Sequence, residues 1–249
     1  MTAPQVLAKL RRLGSPANVE GMARFGIAPV HAYGVSAPQL SELHRQIGQN
    51  SGLALQLWRS GVHDARILAA YVMDPSALTR SEMEHWARDF DSWAVCDNAC
   101  MHLFRKTSFA WAKAIQWSAR RKEYVKRAGF ALMATLAVHD KNADDQAFLG
   151  LLPIIEREAW DERNFVKKAV NWALRQIGKR NEPLRQAAME CATRLKASES
   201  RSARWIGSDA LRELQRKRTH KPGEPRTPHT AAATGGKSPA RAVSKGGAR

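Results

Sequence analysis

Along the first 216 positions apolar residues recur at helical spacing, and no sustained Val/Ile/Thr alternation marks a strand. The chain reads as helix after helix. Pro16, Pro29, Pro38, Pro75 and Pro183 fall mostly between the apolar-periodic segments. Pro153 is an exception and is expected to start or kink a helix. Helix starts are signalled at Ser36, Ser92 and Asp161, and at Thr79, where Glu82 three residues later completes a capping box.

These helices fall into pairs. In each pair a second helix follows a short break, often opening on basic residues before turning small and apolar. The second helices are predicted to begin near Val62, Trp93, Val125, Val166 and Arg201, at separations of 31, 32, 41 and 35 residues. Three share a local pattern: Val62-His-Asp-Ala65, Val125-Lys-Arg-Ala128 and Val166-Lys-Lys-Ala169. The approximate period is that of stacked helix pairs in an α-solenoid, in the length range of HEAT or armadillo repeats. A non-repetitive helical bundle is the competing architecture. In a solenoid the second helices line the concave surface.

Composition adds a boundary and a partner. From Lys217 onward the chain is rich in Pro, Gly, Thr and Ala and has no Leu, Ile, Phe or Trp, so residues 217–249 are expected to be a disordered basic tail. The whole chain carries a formal net charge of +17. The tail holds eight Lys/Arg and one acid, a net of +7, which leaves +10 on residues 1–216. A folded part that is basic by itself points to a polyanion, above all nucleic acid. There is no apolar run long enough to span a membrane and no signal-peptide-like start. Three cysteines, an odd number, fit a reducing cytoplasm. A monomer in the cytoplasm is expected.

The candidate chemistry lies in Asp91-Ser92-Trp93-Ala94-Val95-Cys96-Asp97-Asn98. Trp93 and Asp97 are four residues apart, about one helical turn, so indole and carboxylate share a face. A π surface beside a negative charge suits a cationic or cation-developing ligand. Arg127 opens the next second helix in phase, beside Lys126, and Phe165, Lys167, Lys168 and Trp172 lie on the one after. If three successive second helices line one concavity, Trp93, Asp97, Arg127 and Trp172 point into it. Each has a duller alternative: core packing for the two indoles, a simple ion pair for Asp97, a solvated face for Arg127. Trp58, Trp86, Trp111, Trp117, Trp160 and Trp205 lie in apolar-periodic segments and are expected in the core.

Metal and cofactor chemistry finds little footing. Cys96 and Cys100 sit four apart with His102 nearby, but there is no second CxxC and no HExxH. GxGxxG, Walker, GxSxG and zinc-deaminase signatures are missing. An enzyme built on this chain is expected to need neither metal nor nucleotide cofactor.

At these residues the chain resembles the AlkD-type DNA alkylation repair proteins, HEAT-like-repeat alkylpurine DNA glycosylases. The likeness runs in order through Met22-Ala-Arg-Phe25-Gly-Ile27, Leu57-Trp58, His63-Asp64-Ala65-Arg66, Ser92-Trp93-Ala-Val-Cys96-Asp97, Val125-Lys-Arg127-Ala128 and Asn164-Phe165-Val-Lys-Lys-Ala169-Val-Asn-Trp172-Ala-Leu-Arg175. Cys96 stands where Val is expected and marks a distinct Cys-Asp branch. The resemblance implies an all-α solenoid of HEAT-like pairs with a concave basic groove over residues 1–216. It also implies hydrolysis of the N-glycosidic bond of positively charged N3- and N7-alkylated purines in duplex DNA, without base flipping. Asp97, Trp93 and Trp172 take the catalytic positions, and Arg127 a DNA contact. Lys126, Phe165, Lys167 and Lys168 are further expected DNA contacts. In the family cleft an N-terminal aromatic matches Phe25 or Tyr33. Two other functions compete: a non-catalytic solenoid binding damaged, branched or plain duplex nucleic acid, and a protein-interaction scaffold.

Overall fold

Short helices with strong local start signals build the computed structural model, which describes residues 1–216. These form one unit, Met1–Arg216; the expected tail at 217–249 lies outside the described residues. Fourteen α-helices and one 3-10 turn occur among the described residues, with no strand. Thr79 caps α6 (Arg80–Arg88) with the expected box: its hydroxyl accepts from Glu82 N at 3.1 Å, and Glu82 Oε2 accepts from Thr79 N at 2.9 Å. Ser92 Oγ accepts from Val95 N and starts α7 (Trp93–His102). Ser36 caps α3 (Ala37–Ile47). Pro16, Pro38, Pro153 and Pro183 occupy the first turns of helices, where a missing N–H costs nothing. Pro153 thus starts its helix without kinking one.

Asp161 departs from expectation. The residue before α12 (Asn164–Gly178) is Arg163, and Asp161 is instead an ion-pair hub, accepting from Arg163 Nη2 at 2.6 Å and Lys126 Nζ at 2.8 Å. Two basic partners hold this carboxylate more strongly than a helix N-terminus would.

Three helix pairs stand where the period predicted them. α4 (Ser51–Arg59) packs on α5 (His63–Val72), α8 (Ala110–Ser118) on α9 (Glu123–His139), and α13 (Glu182–Lys196) on α14 (Arg201–Leu214). The second helices then stack on each other: α3 on α5, α5 on α7, α7 on α9, α9 on α12 and α12 on α14. The row from α3 to α14 packs each member on the next, which is the signature of a solenoid and sets a row of parallel faces. The first helices contribute a tryptophan ladder. Trp58 of α4 and Trp86 of α6 stack at 4.0 Å, and Phe104 links Trp86 to Trp117 of α8. Each such pair adds roughly 0.5–1.5 kcal/mol beyond area burial. Carboxylates from adjacent repeats accept the indole N–H groups: Asp89 from Trp58 at 2.9 Å, Glu84 from Trp117 at 3.0 Å.

Two tryptophans expected in the core are not there. Trp160 is 58% exposed in the turn after α11 (Leu152–Glu158), and Trp205 is 40% exposed on α14. The helical period ends before Trp160. Trp205 lies on the flank of the last stacked helix, which no further described helix covers. No described helix is long and apolar enough to cross a membrane.

Candidate nucleic-acid interface at Trp93 and Asp97

The Ser92 cap fixes where α7 begins and so where Trp93 points. Trp93 is half-buried, and its indole Nε1 donates to the Phe25 carbonyl at 2.9 Å. Phe25 precedes Gly26, whose φ of +69° only glycine adopts easily. Gly26 is also tight against α12: a Cβ there would meet Phe165 Cζ at 2.7 Å. The Phe165 ring in turn lies 5.9 Å from Tyr124 of α9. The Phe25–Gly26 turn therefore reaches from α7 to α12 across the start of α9. Farther along the segment before α3, Asp64 accepts from Tyr33 N at 2.6 Å and Val35 N at 2.7 Å.

One turn along α7, Asp97 meets Arg127 of α9 in a fork. Nε donates to Oδ1 at 2.8 Å and Nη2 to Oδ2 at 2.7 Å. The remaining arm, Nη1, donates to the Phe165 carbonyl at 2.6 Å. Arg127 Cζ lies 5.9 Å from the Trp93 ring centroid. The guanidinium is 6% exposed as a residue, and all three of its nitrogens are committed. Burial works against its charge, but the Asp97 carboxylate outweighs that and raises its pKa. The carboxylate retains more contact with solvent, with its side chain 16% exposed.

Cys96 has a structural place. It is fully buried between α7 and α9, where Sγ donates to the Tyr124 carbonyl at 3.4 Å. Burial and the neighbouring Cys100 thiol push its pKa well up, so it is a thiol at neutral pH. The Cys-Asp variation supplies a weak donor where a valine has none.

The structure brings together Trp93, Asp97, Arg127 and Phe165. Trp172, two turns beyond Phe165 on α12, is half-buried against the core and makes no hydrogen bond or ring contact with Trp93, Asp97, Arg127 or Phe165 among the described residues. Two expected DNA contacts are spent internally. Lys126 is 9% exposed and pairs with Glu158 at 2.7 Å and Asp161 at 2.8 Å. Arg127 is the Asp97 clamp just described. Helix phase explains both: α9 is the most buried helix of the row, and basic residues near its start turn inward onto acids of α7, α11 and the α11–α12 turn. Lys168 is exposed, and Lys167 sits 5.6 Å above the Trp205 ring. Arg121 and Lys122 are exposed ahead of α9.

The role of the Phe25–Gly26 turn was only half visible in sequence. Phe25 joins this site through its backbone carbonyl, whereas Tyr33 gives its backbone N–H to Asp64. Gly26 directly after an aromatic, inside the motif Met22–Ile27, is the signal for a close approach. Trp205, set against Lys167, went unrecognised because its neighbours gave it a core-like pattern.

Among the described residues no group of three His, Cys, Asp or Glu is placed to hold a metal ion. None of the curated proteins matches the chain. A solved structure superposes with a TM-score of 0.70 at 20% identity, covering 85% of this chain and 95% of the other. That structure is described as a new family of proteins related to the HEAT-like repeat DNA glycosylases with affinity for branched DNA structures. It supports the HEAT-like fold. A family model described as DNA alkylation repair enzyme matches residues 6–214, nearly all of the described unit. The chain belongs to the DNA alkylation repair enzyme family.

Proposed function

We propose that this protein is a DNA N-glycosylase that releases positively charged N3- and N7-alkylated purines from duplex DNA. The observation that carries the reading is the placement of Asp97. A carboxylate with residual solvent contact lies at the flank of a tryptophan ring, on a second helix of a basic array, and is held rigidly by a bidentate guanidinium. A surface that only gripped phosphates would gain nothing from it.

Cleavage of an alkylated purine needs little acid help, because the cationic base is already a good leaving group. Charge develops on the sugar, and a fixed carboxylate nearby stabilises it. Arg127 subtracts from this effect. At an effective dielectric near 20, a carboxylate about 5 Å from the sugar is worth roughly 3 kcal/mol, and a guanidinium about 8 Å away opposes it by roughly 2. The net of about 1 kcal/mol is roughly fivefold in rate. Preorganisation of the carboxylate by Arg127 is what keeps that margin. The indoles of Trp93 and Trp172 add cation–π attraction for the charged nucleotide. No metal or cofactor is needed for this chemistry.

The test is release of 7-methylguanine and 3-methyladenine from alkylated duplex by wild type and Asp97→Asn. The variant is expected to be slower by ~10-fold or more. Equal rates would remove Asp97 from the chemistry.

One observation favours a second reading, in which the protein binds branched or damaged DNA without cleaving it. Both oxygens of Asp97 are taken by Arg127, and the Phe25–Gly26 turn occupies the Trp93 indole. That reading predicts salt-dependent DNA binding with no base release by wild type.

A further inference from the structure

We propose that the C-terminal ends of α3, α5, α7 and α9 form a second DNA contact, a strip that takes backbone phosphates through His44, His102, Arg105, Lys106 and His139. The strip rests on DNA being the partner but not on base release.

Successive second helices present these groups one after another. His44 is in the last turn of α3, Tyr71 in that of α5, and His102 and His139 end α7 and α9. The helix ends are adjacent in space: the His44 and Tyr71 rings lie 6.1 Å apart, edge on, and Tyr71 and His102 4.3 Å apart. The 3-10 turn Phe104–Lys106 follows α7 directly and adds Arg105 and Lys106.

Five basic side chains meet here, against one carboxylate, Asp74, that lines the same cleft as Lys106. Burial comes first in lowering the pKa of His102, to about 4, and Lys106, Arg105, His44 and His139 all push it the same way. His44 is lowered by burial and Lys106, and His139 by burial, Arg105, Lys141 and Lys106. The carboxylates nearest in sequence keep their charge but have other hydrogen-bond or ion-pair partners, and none of them is among the groups that shift these three histidines. Glu42 pairs with Arg45, Asp74 accepts from Ser76 N and Oγ, and Asp140 accepts from Trp111 Nε1. Facing groups on α5 and α7 are neutral: Tyr71 donates to Asn98 Oδ1 at 2.8 Å.

Basic residues at helix C-termini have an ordinary use, as partners of the last carbonyls and the helix dipole. Arg105 does this with one nitrogen, donating Nε to the Met101 carbonyl at 2.5 Å. The imidazoles do not. His44 Nδ1 is buried with no partner, and no hydrogen bond to the rings of His102 or His139 occurs among the described residues. The mutual repulsion of these groups when protonated is relieved by a bound dianion or a run of phosphates. Helices in such a row stand about 8–10 Å apart, so one basic group per helix end tracks a polyanionic strand better than it fits a compact ligand.

The test uses the full-length chain. Imidazole resonances are followed through a pH titration alone, with inorganic phosphate, and with a short blunt DNA duplex. The His102 midpoint is expected to rise from about 4 when duplex is bound, and by less with inorganic phosphate. Lys106→Glu is expected to weaken duplex binding ~10-fold and to lower the salt slope of log affinity by about 1–2. A midpoint that stays put while the duplex binds overturns the strip. So does a midpoint that moves with inorganic phosphate but not with duplex, which would make it a site for free phosphate. Loss of base release in Asp97→Asn, or its absence in wild type, bears on the catalytic reading alone.

Discussion

Replacing Arg127 by methionine removes one half of a buried ion pair and leaves the shape of the side chain largely in place. In the native protein the Arg127 side chain is 8% exposed and that of Asp97 16%. Breaking a buried pair from one side costs about 3–5 kcal/mol, because the remaining charge stays desolvated. Asp97 keeps a little solvent contact and can rehydrate, which places Arg127→Met near ~3 kcal/mol. The Phe165 carbonyl loses its third-arm bond but lies in α12, whose own ladder takes it, so that loss adds little. Replacing both partners, as Asp97→Leu with Arg127→Met, removes both desolvation penalties and is expected to recover most of the loss. The coupling between the two sites is then about 2 kcal/mol or more. Urea unfolding followed by far-UV circular dichroism reads these differences directly, provided the slope with denaturant is unchanged. If Arg127→Met lies within ~0.5 kcal/mol of wild type, the pair is screened like a surface bridge and the clamp argument fails.

Gly26→Ala forces an L side chain into positive φ and against Phe165, and should cost ~1–2 kcal/mol in the same urea experiment. Because the turn carries the acceptor for Trp93, its intrinsic fluorescence should also change; an unaltered spectrum would show that the turn does not depend on Gly26. Acid should weaken the fold through His102, whose folded pKa of about 4 lies below its ordinary 6.5. The unfolded chain binds the proton more readily, so this contribution is complete above pH ~6.5 and is lost as pH falls towards 4. His102→Gln should flatten the stability profile in that window, and an identical profile would contradict the buried neutral imidazole. Lys126→Met removes one partner each from Glu158 and Asp161, which keep Arg157 and Arg163, and is expected to destabilise by ~1–2 kcal/mol while leaving DNA affinity near wild type. A large loss of affinity without loss of stability would return Lys126 to the DNA surface.

Much of this protein is written in local signals. Thr79 with Glu82, Ser92 ahead of Trp93, and the first-turn prolines place helix starts through interactions that span four residues, so sequence alone reveals them. The approximate 31- to 41-residue period carries the stack of second helices for the same reason. What sequence could not supply is the rotation of one helix against the next. Lys126 and Arg127 look like a basic rim until α9 is set between α7 and α12, where both turn inward onto acids. Trp205 reads as core until α14 proves to be the last of the described stack. The bridge of the Phe25–Gly26 turn joins residues 68 apart in sequence, a contact that no spacing rule encodes.

The inward turn of Arg127 alters the electrostatics of the surface it was expected to extend. A bare carboxylate about 6 Å from a DNA phosphate repels it by roughly 3 kcal/mol at an effective dielectric near 20. Paired with Arg127, Asp97 presents almost no net charge to a strand passing at that distance, while the exposed Arg121, Lys122 and Lys168 supply the attraction. Arg127 thereby lets a polyanion approach an acidic group without itself touching a phosphate. It follows that Arg127→Met should weaken duplex binding by ~10-fold or more through the unmasked charge, and that adding Asp97→Asn should restore it. A directly bound phosphate would behave differently: the double variant would stay as weak as Arg127→Met, and the salt slope would fall by about one in both. Anisotropy titrations of the two variants across a salt series separate these outcomes. Restoration by Asp97→Asn identifies Arg127 as the counter-charge of the carboxylate, and failure to restore identifies it as a phosphate ligand.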